Sequence, residues 1–182
     1  LKLDTRVINK KDKSGVTPAA LAMMSKRWEN VKPLMEIGSD INYTDTYGKT
    51  LLMMAIEGKS AENAKYLVEK GANIKAADNN GATPLHLAVM NKGKNWDDLV
   101  TLIVQGGAAV NSADKNGSSP AGRAIDAGNV SGYKILSANG LDVNFKEKGS
   151  VPLLLYAYRN SQKAIASDLM QKSADITAKD GD

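Results

Sequence analysis

Aspartate residues recur at a fixed interval in this chain, and regularly spaced carboxylates are candidates for binding metal ions. Asp12, Asp45 and Asp78 stand 33 residues apart, and Asp114 follows after a longer step of 36. A Ca²⁺ ion needs several oxygen ligands at about 2.3–2.6 Å, whereas residues one structural repeat apart lie on the order of 10 Å from one another. We therefore interpret the aspartates as turn residues that accept hydrogen bonds from nearby backbone N–H groups.

His86 is the only histidine of the chain, and cysteine is absent. A catalytic pair of nucleophile and base therefore cannot include a cysteine thiol, and His86 is the only imidazole that could serve as the base. Zinc sites built from nitrogen and sulfur ligands are disfavoured for the same reason. The glycines do not supply a phosphate-binding loop, because no Gly-x-x-x-x-Gly-Lys-Ser/Thr pattern is present. The sequence predicts a protein that is not an enzyme and that holds neither a metal ion nor a cofactor.

The composition also argues against nucleic-acid and membrane partners. The 182 residues include 24 Lys and Arg against 20 Asp and Glu, which gives a net charge of +4. Few of the basic residues are arginine, and the chain has neither an arginine-rich stripe nor an aromatic ladder. No run of 18 apolar residues predicts a membrane-spanning helix. The sequence leaves the location open between the cytoplasm and, after removal of a leader peptide, the periplasm.

The interval of 33 residues divides the chain into units that are expected to share one fold within one domain, residues 1–182. The third unit is longer, and its additional residues are placed at 92–94, between two helices. Partial units are expected at both ends, at residues 6–9 and 180–182. The five predicted units span residues 12–44, 45–77, 78–113, 114–145 and 146–179.

Each unit is predicted to contain two helices and a reversing loop. In the second unit, apolar residues at helical spacing predict helices over residues 50–57 and 60–70. Thr50 is expected to cap the first helix, and Gly71 is expected to end the second in a left-handed conformation. Gly38, Gly107 and Gly140 hold the position of Gly71 in their units, and Ser173 holds it in the fifth. Proline is tolerated at the first helical position, which is the position predicted for Pro18, Pro84, Pro120 and Pro152.

The clearest unit contains the run Gly81-Ala-Thr-Pro-Leu-His-Leu-Ala88. Thr-Pro-Leu-His-x-Ala is the signature of the ankyrin repeat, whose period is 33 residues, and the chain resembles the ankyrin-repeat family from end to end. The resemblance implies an all-α fold, an ankyrin-repeat solenoid of stacked helix–turn–helix units with projecting hairpin-like loops. It also implies that His86 is structural, bonding to backbone and holding adjacent loops in register.

In ankyrin repeats the projecting loops, here called fingers, and the first helices form a concave surface where partners bind. The fold does not require the residues that flank each Asp-x-x-Gly, so they are free to suit a partner. Tyr43 and Tyr47 are both expected to be exposed on the second finger, and tyrosine is enriched at binding hot spots. The alternative is that one of them covers a neighbouring loop. The predicted partner-binding residues are Tyr43, Thr44, Thr46, Tyr47, Lys49, Asn79, Asn80, Lys115, Asn116, Lys146 and Lys148.

The resemblance thus implies a non-enzymatic module that is monomeric alone and binds a folded protein partner. Lysines on the fingers predict an acidic patch on that partner. Bacterial ankyrin proteins of similar design cap enzymes, so the specific form expected is an inhibitor or self-protection protein for a bacterial enzyme such as a cell-wall hydrolase. The alternative is a targeting arm of a larger scaffold or secreted effector.

Overall fold

The computed structural model describes residues 5–172 and 174–177. Helices dominate these residues and follow one another in pairs after a short helix α1 (Thr5–Ile8). The first helices of the pairs are α2 (Pro18–Met24), α4 (Leu51–Glu57), α6 (Pro84–Ala88), α8 (Pro120–Asp126) and α10 (Leu153–Arg159). The second helices are α3 (Val31–Glu36, after a 3₁₀ turn at Trp28–Asn30), α5 (Ala61–Glu69), α7 (Lys94–Gln105), α9 (Val130–Ala138) and α11 (Lys163–Gln171).

The helix pairs stack on one another in sequence order. Each first helix contacts the second helix of its own pair and the first helix of the next pair. The second helices form a parallel row of contacts, from α3 through α5, α7 and α9 to α11. Between the two layers runs a continuous cluster of buried apolar side chains, which includes Leu52, Leu85 and Ala121. This arrangement confirms the predicted all-α solenoid, in which each unit buries its apolar face against its neighbours.

Polar side chains fix where the first helices begin. Thr50 Oγ1 accepts a hydrogen bond from Met53 N at 3.2 Å, which confirms its predicted role as an N-cap. Thr17 and Ser119 cap their helices in the same way. The proline at the first helical position is confirmed for Pro18, Pro84 and Pro120.

The left-handed helix ends predicted at glycine are also present. Gly71 has φ 89° and donates its N–H to Val68 O at 3.0 Å, which satisfies one of the carbonyls left free at the end of α5. Gly38, Gly107 and Gly140 have φ between 85° and 99°. The helix end predicted at Ser173 and the partial unit predicted at residues 180–182 lie outside the described residues.

The fifth unit departs from the prediction in front of its first helix. Pro152 is not the first helical residue; it lies in strand β2 (Val151–Pro152), which pairs antiparallel with β1 (Lys146–Glu147). Pro120 and Pro152 both follow the glycine of their loop by three residues, so no residue has been inserted. Instead the helix begins one residue later: Val151 and Pro152 pair with Glu147 and Lys146, and this extended backbone continues through Pro152, which becomes the cap of α10.

Replacement of Gly81 by valine is expected to lower the free energy of unfolding by about 1–3 kcal/mol. Gly81 has φ 79°, and a Cβ there would lie 3.1 Å from Lys115 N of the next finger. Gly15 is the matched control, since it has the same φ of 79° but no atom within 4 Å of the added Cβ. Urea unfolding should therefore show a larger loss for Gly81→Val than for Gly15→Val. Equal losses would mean that contact between neighbouring fingers does not contribute.

Candidate interaction surface

A single carboxylate closes each of the first four fingers. Asp45 Oδ1 accepts hydrogen bonds from Tyr47 N and Lys49 N, both at 2.8 Å. Asp12, Asp78 and Asp114 accept the equivalent pairs of backbone N–H groups in their own loops. This confirms the interpretation of the aspartates as turn residues.

The second, third and fourth fingers are hydrogen-bonded to one another. Asn79 N donates to Tyr47 O at 2.9 Å, and Asn79 Nδ2 donates to Thr46 O at 3.0 Å. Lys115 N donates to Asn80 O at 2.9 Å, which joins the third finger to the fourth. The structure thus brings together predicted residues from loops that are 33 or more positions apart in sequence. We call this set the finger row, and it consists of Thr46, Tyr47, Asn79, Asn80, Lys115, Asn116 and Lys148, all exposed.

The fifth finger follows the fourth at the end of the finger row. A Cβ on Gly117 would lie 3.3 Å from Lys148 Cα, so the two loops are in close contact. Lys146, on strand β1, is exposed near the base of this finger. Thr44 is exposed in the corresponding part of the second finger, where it forms an isolated antiparallel bridge with Thr50. Both residues therefore lie beside the finger row, at its edge.

Tyr43 does not have the exposure expected of it. Its side chain is buried, and its hydroxyl donates to Gly15 O of the preceding finger at 3.0 Å. Lys11 Nζ, from the first finger, lies 5.5 Å from the centre of the Tyr43 ring. Burial raises the pKa of the phenol. Tyr43 thus covers a neighbouring loop, while Tyr47 is 69% exposed.

Lys49 is less available than the other lysines of the predicted surface. Its Nζ forms an ion pair with Glu57 at 2.7 Å, and the side chain is about one-third exposed. The pair joins the base of the second finger to the end of helix α4. Lys115, Lys146 and Lys148 are exposed, and no ion pair to them is present among the described residues.

His86 lies fully buried and links the third unit to the fourth. Thr83 N donates to His86 Nδ1 at 3.2 Å, so the ring proton is assigned to Nε2, which lies 3.2 Å from Ser118 O of the next finger. The predicted structural role, bonding to backbone across units, is confirmed. Burial lowers the pKa of the imidazole, so the neutral ring is the form that fits this position.

Replacement of His86 by alanine is expected to lower the free energy of unfolding by about 2 kcal/mol, because Thr83 N and Ser118 O, which are partly buried, lose their hydrogen bonds to the ring. The lowered pKa also predicts the sign of a pH effect. The unfolded chain takes up the proton at a higher pH than the folded protein, so the wild type should lose stability as the pH falls below about 6.5. The free energy of unfolding, measured at several pH values, should show this loss in the wild type but not in the His86→Ala variant. The same loss in the variant would mean that His86 is not its source.

Glu147 is a structurally important residue that the sequence did not reveal. Its carboxylate is buried and accepts hydrogen bonds from Ser119 N, at 3.0 Å, and from Ser119 Oγ. The space for it comes from Gly122, where an added Cβ would lie 2.3 Å from Glu147 Oε2. Gly122 stands three residues after its N-cap, as His86 does in the preceding unit. Glu147 therefore fills, from the fifth finger, the place that a histidine occupies one unit earlier.

Gly122 was the one sequence signal that could have led to Glu147. A glycine at the position of the signature histidine removes the link to the next finger and leaves a vacant volume. The sequence around residue 147, however, does not indicate that the Glu147 side chain contacts Ser119, which lies 28 positions earlier.

Within residues 5–172 and 174–177, no three acidic or imidazole side chains are grouped so that they could hold a metal ion. None of the helices in these ranges combines the length and the apolar character needed to cross a bilayer.

The stacked helix pairs, the left-handed glycine ends and the hydrogen-bonded loops define a solenoid repeat protein. A family model for ankyrin repeats in three copies matches residues 19–96, and a model for a single ankyrin repeat matches residues 80–115. The chain belongs to the ankyrin-repeat family. A search of curated proteins gave no match. Ankyrin repeats are in general protein–protein interaction modules, and this chain contains such repeats.

Proposed function

We propose that the protein binds a folded protein partner through the finger row and the adjoining surface of the first helices. The observation that supports this most directly is the hydrogen bonding between fingers, in which Asn79 N donates to Tyr47 O and Lys115 N donates to Asn80 O. Because the backbones are fixed to one another, the positions from which the exposed side chains project are set before a partner arrives. Preorganisation of this kind lowers the entropy lost on binding.

The side chains of the finger row suit a protein surface. Tyr47 offers a large amphipathic ring with few rotatable bonds, a combination common in binding anchors. Asn79, Asn80 and Asn116 carry amides that can both donate and accept hydrogen bonds. Lys115 and Lys148 add positive charge at the other end, which favours a partner with an acidic patch.

Two narrower functions follow from the family resemblance and are part of this proposal. In the first, the partner is a bacterial enzyme, such as a cell-wall hydrolase, and the protein acts as its inhibitor or as a self-protection protein. Adding the purified chain to hydrolase assays tests this form directly, with loss of hydrolysis as the expected result. In the second, the chain is the targeting arm of a larger scaffold or secreted effector, and binding leaves the partner's activity unchanged.

The charged end of the finger row gives a test of the binding surface. The chain is used to capture a partner, which is identified by mass spectrometry, and association is then followed by surface plasmon resonance. Lys115→Glu combined with Lys148→Glu should slow association about 10-fold or more at low salt, with less effect on dissociation. Lys134→Glu combined with Lys163→Glu, at exposed positions of α9 and α11, is the matched control, because it makes the same change in net charge. Equal association rates for both variants would place the partner elsewhere.

A further inference from the structure

We propose that a cleft between α4, α6 and α8 binds a carboxylate side chain of the partner together with an apolar side chain next to it. This inference rests on the proposed function, because it names the chemistry that the first-helix surface recognises. The cleft has a volume of about 400 Å³. We call it the Arg123 cleft, and its lining includes Glu57, Lys59, Leu87, Met90, Asn91 and Arg123.

Arg123 is held in a fixed position at the edge of the cleft. Its Nη2 donates to Asp114 Oδ2 at 2.6 Å, and the Asp114 side chain is fully buried. Arg123 Nε is buried and has no hydrogen-bond partner, and the side chain as a whole is 29% exposed. No hydrogen bond to Nη1 is present within the described part of the chain. A guanidinium that is anchored at one nitrogen and has donors left at another is prepared for a planar carboxylate.

The charges around the cleft leave an excess of positive charge. The charge of Asp114 is matched by Arg123, and that of Glu57 is matched by Lys49 at 2.7 Å. Lys59 Nζ donates instead to the neutral side chain of Asn91. Among the residues that the structure describes, no carboxylate pairs with Lys59. The lining of the cleft is therefore complementary in charge to an anionic side chain of the partner.

Two apolar residues of the lining add an apolar requirement. Met90 is 40% exposed, and Leu87 is partly buried beside it. Methionine adapts to partners of different shape, and its exposed thioether and methyl group are available to an apolar side chain. The cleft also connects to the finger row, because Asp114, which anchors Arg123, closes the fourth finger. One partner segment can thus contact both surfaces.

The probe for this site is the peptide acetyl-Leu-Asp-Phe-Leu-amide, compared with the same peptide carrying Asn in place of Asp. The titration is followed in ¹⁵N-labelled protein by NMR, where Arg123 Nε–H gives a separate side-chain resonance. The acidic peptide at about 5 mM should shift the resonances of Arg123 and Met90, as expected for a dissociation constant of about 1 mM. The Asn peptide should shift them at least 5-fold less.

Variants separate this site from other surfaces without disturbing the Asp114–Arg123 pair. Met90→Asp should abolish the shifts, because it places a like charge in the cleft. Met170→Asp is the matched control, since Met170 has a similar exposure of 43% but lies on α11. Shifts that map elsewhere, an Asn peptide that binds equally well, or no shifts at all would each overturn the inference.

Binding of the captured partner distinguishes this inference from the proposed function. If Met90→Asp leaves partner affinity unchanged while Tyr47→Ala reduces it, the proposed function stands and the carboxylate site does not. If neither substitution affects the partner, the proposed binding surface fails as well.

Discussion

Glu147→Ala is expected to lower the free energy of unfolding by about 3 kcal/mol, because it removes a buried acceptor and leaves a cavity. Ser119 N and Ser119 Oγ both donate to this carboxylate, and both donors would lose their acceptor. The volume beside Gly122 would also become empty. Urea unfolding measures the loss, and the fifth unit should become the first part of the array to exchange its amide hydrogens.

Glu147→Gln is the matched control, because the amide keeps the shape of the side chain and one acceptor oxygen. Burial raises the pKa of Glu147, and the nearby charge of Asp126 acts in the same direction. The folded protein therefore holds the proton to a higher pH than the unfolded chain. The wild type should lose stability relative to Glu147→Gln as the pH rises from about 4.5, whereas the two should be alike below that value. A constant difference between them across this window would contradict the assignment.

The parts of the fold that were predictable are those set by local sequence. The Asp-x-x-Gly turns depend on hydrogen bonds within five residues, as between Asp45 and Lys49. Helix caps such as Thr50 act over three residues. His86 reaches the next unit, yet it was predictable because it belongs to a repeated pattern whose spacing defines the neighbour.

The parts that were not predictable depend on contacts between units that break the repeat. Tyr43 and Tyr47 have similar surroundings in the sequence, but only Tyr43 reaches back to Gly15 O. Glu147 is buried because Gly122, 25 positions earlier, leaves room for it. Neither outcome follows from residue type or periodicity, because each depends on the shape of the neighbouring finger.

Burial of Tyr43 changes what the tyrosines can contribute to binding. An alanine at position 43 would remove the hydrogen bond to Gly15 O and part of the packing between the first two fingers. Any loss of binding in such a variant would combine folding and recognition. Tyr47 has no such complication, since its ring is 69% exposed while its backbone is fixed through Asn79. Tyr47 is therefore the residue on which the binding hypothesis is best tested.

Tyr47→Ala is expected to weaken partner binding by more than about 2 kcal/mol, or roughly 30-fold in the dissociation constant, with most of the effect on dissociation. A rigid aromatic ring that packs into a water-excluding contact is the kind of side chain that carries such energies. The free energy of unfolding of the variant should stay within about 0.5 kcal/mol of the wild-type value, because the substituted side chain is exposed. Surface plasmon resonance with the captured partner, together with thermal unfolding, measures both quantities.

Tyr158→Ala is the matched control for Tyr47→Ala. Tyr158 is 53% exposed, but it lies on helix α10 at the opposite end of the array. Loss of affinity in Tyr47→Ala alone would locate the partner on the finger row. Loss in Tyr158→Ala alone would move the partner to the last helix pair and contradict the proposed surface. Equal losses would require a partner that spans the array from the second unit to the fifth, and Lys148→Glu, which lies between these positions in sequence, should then reduce affinity too.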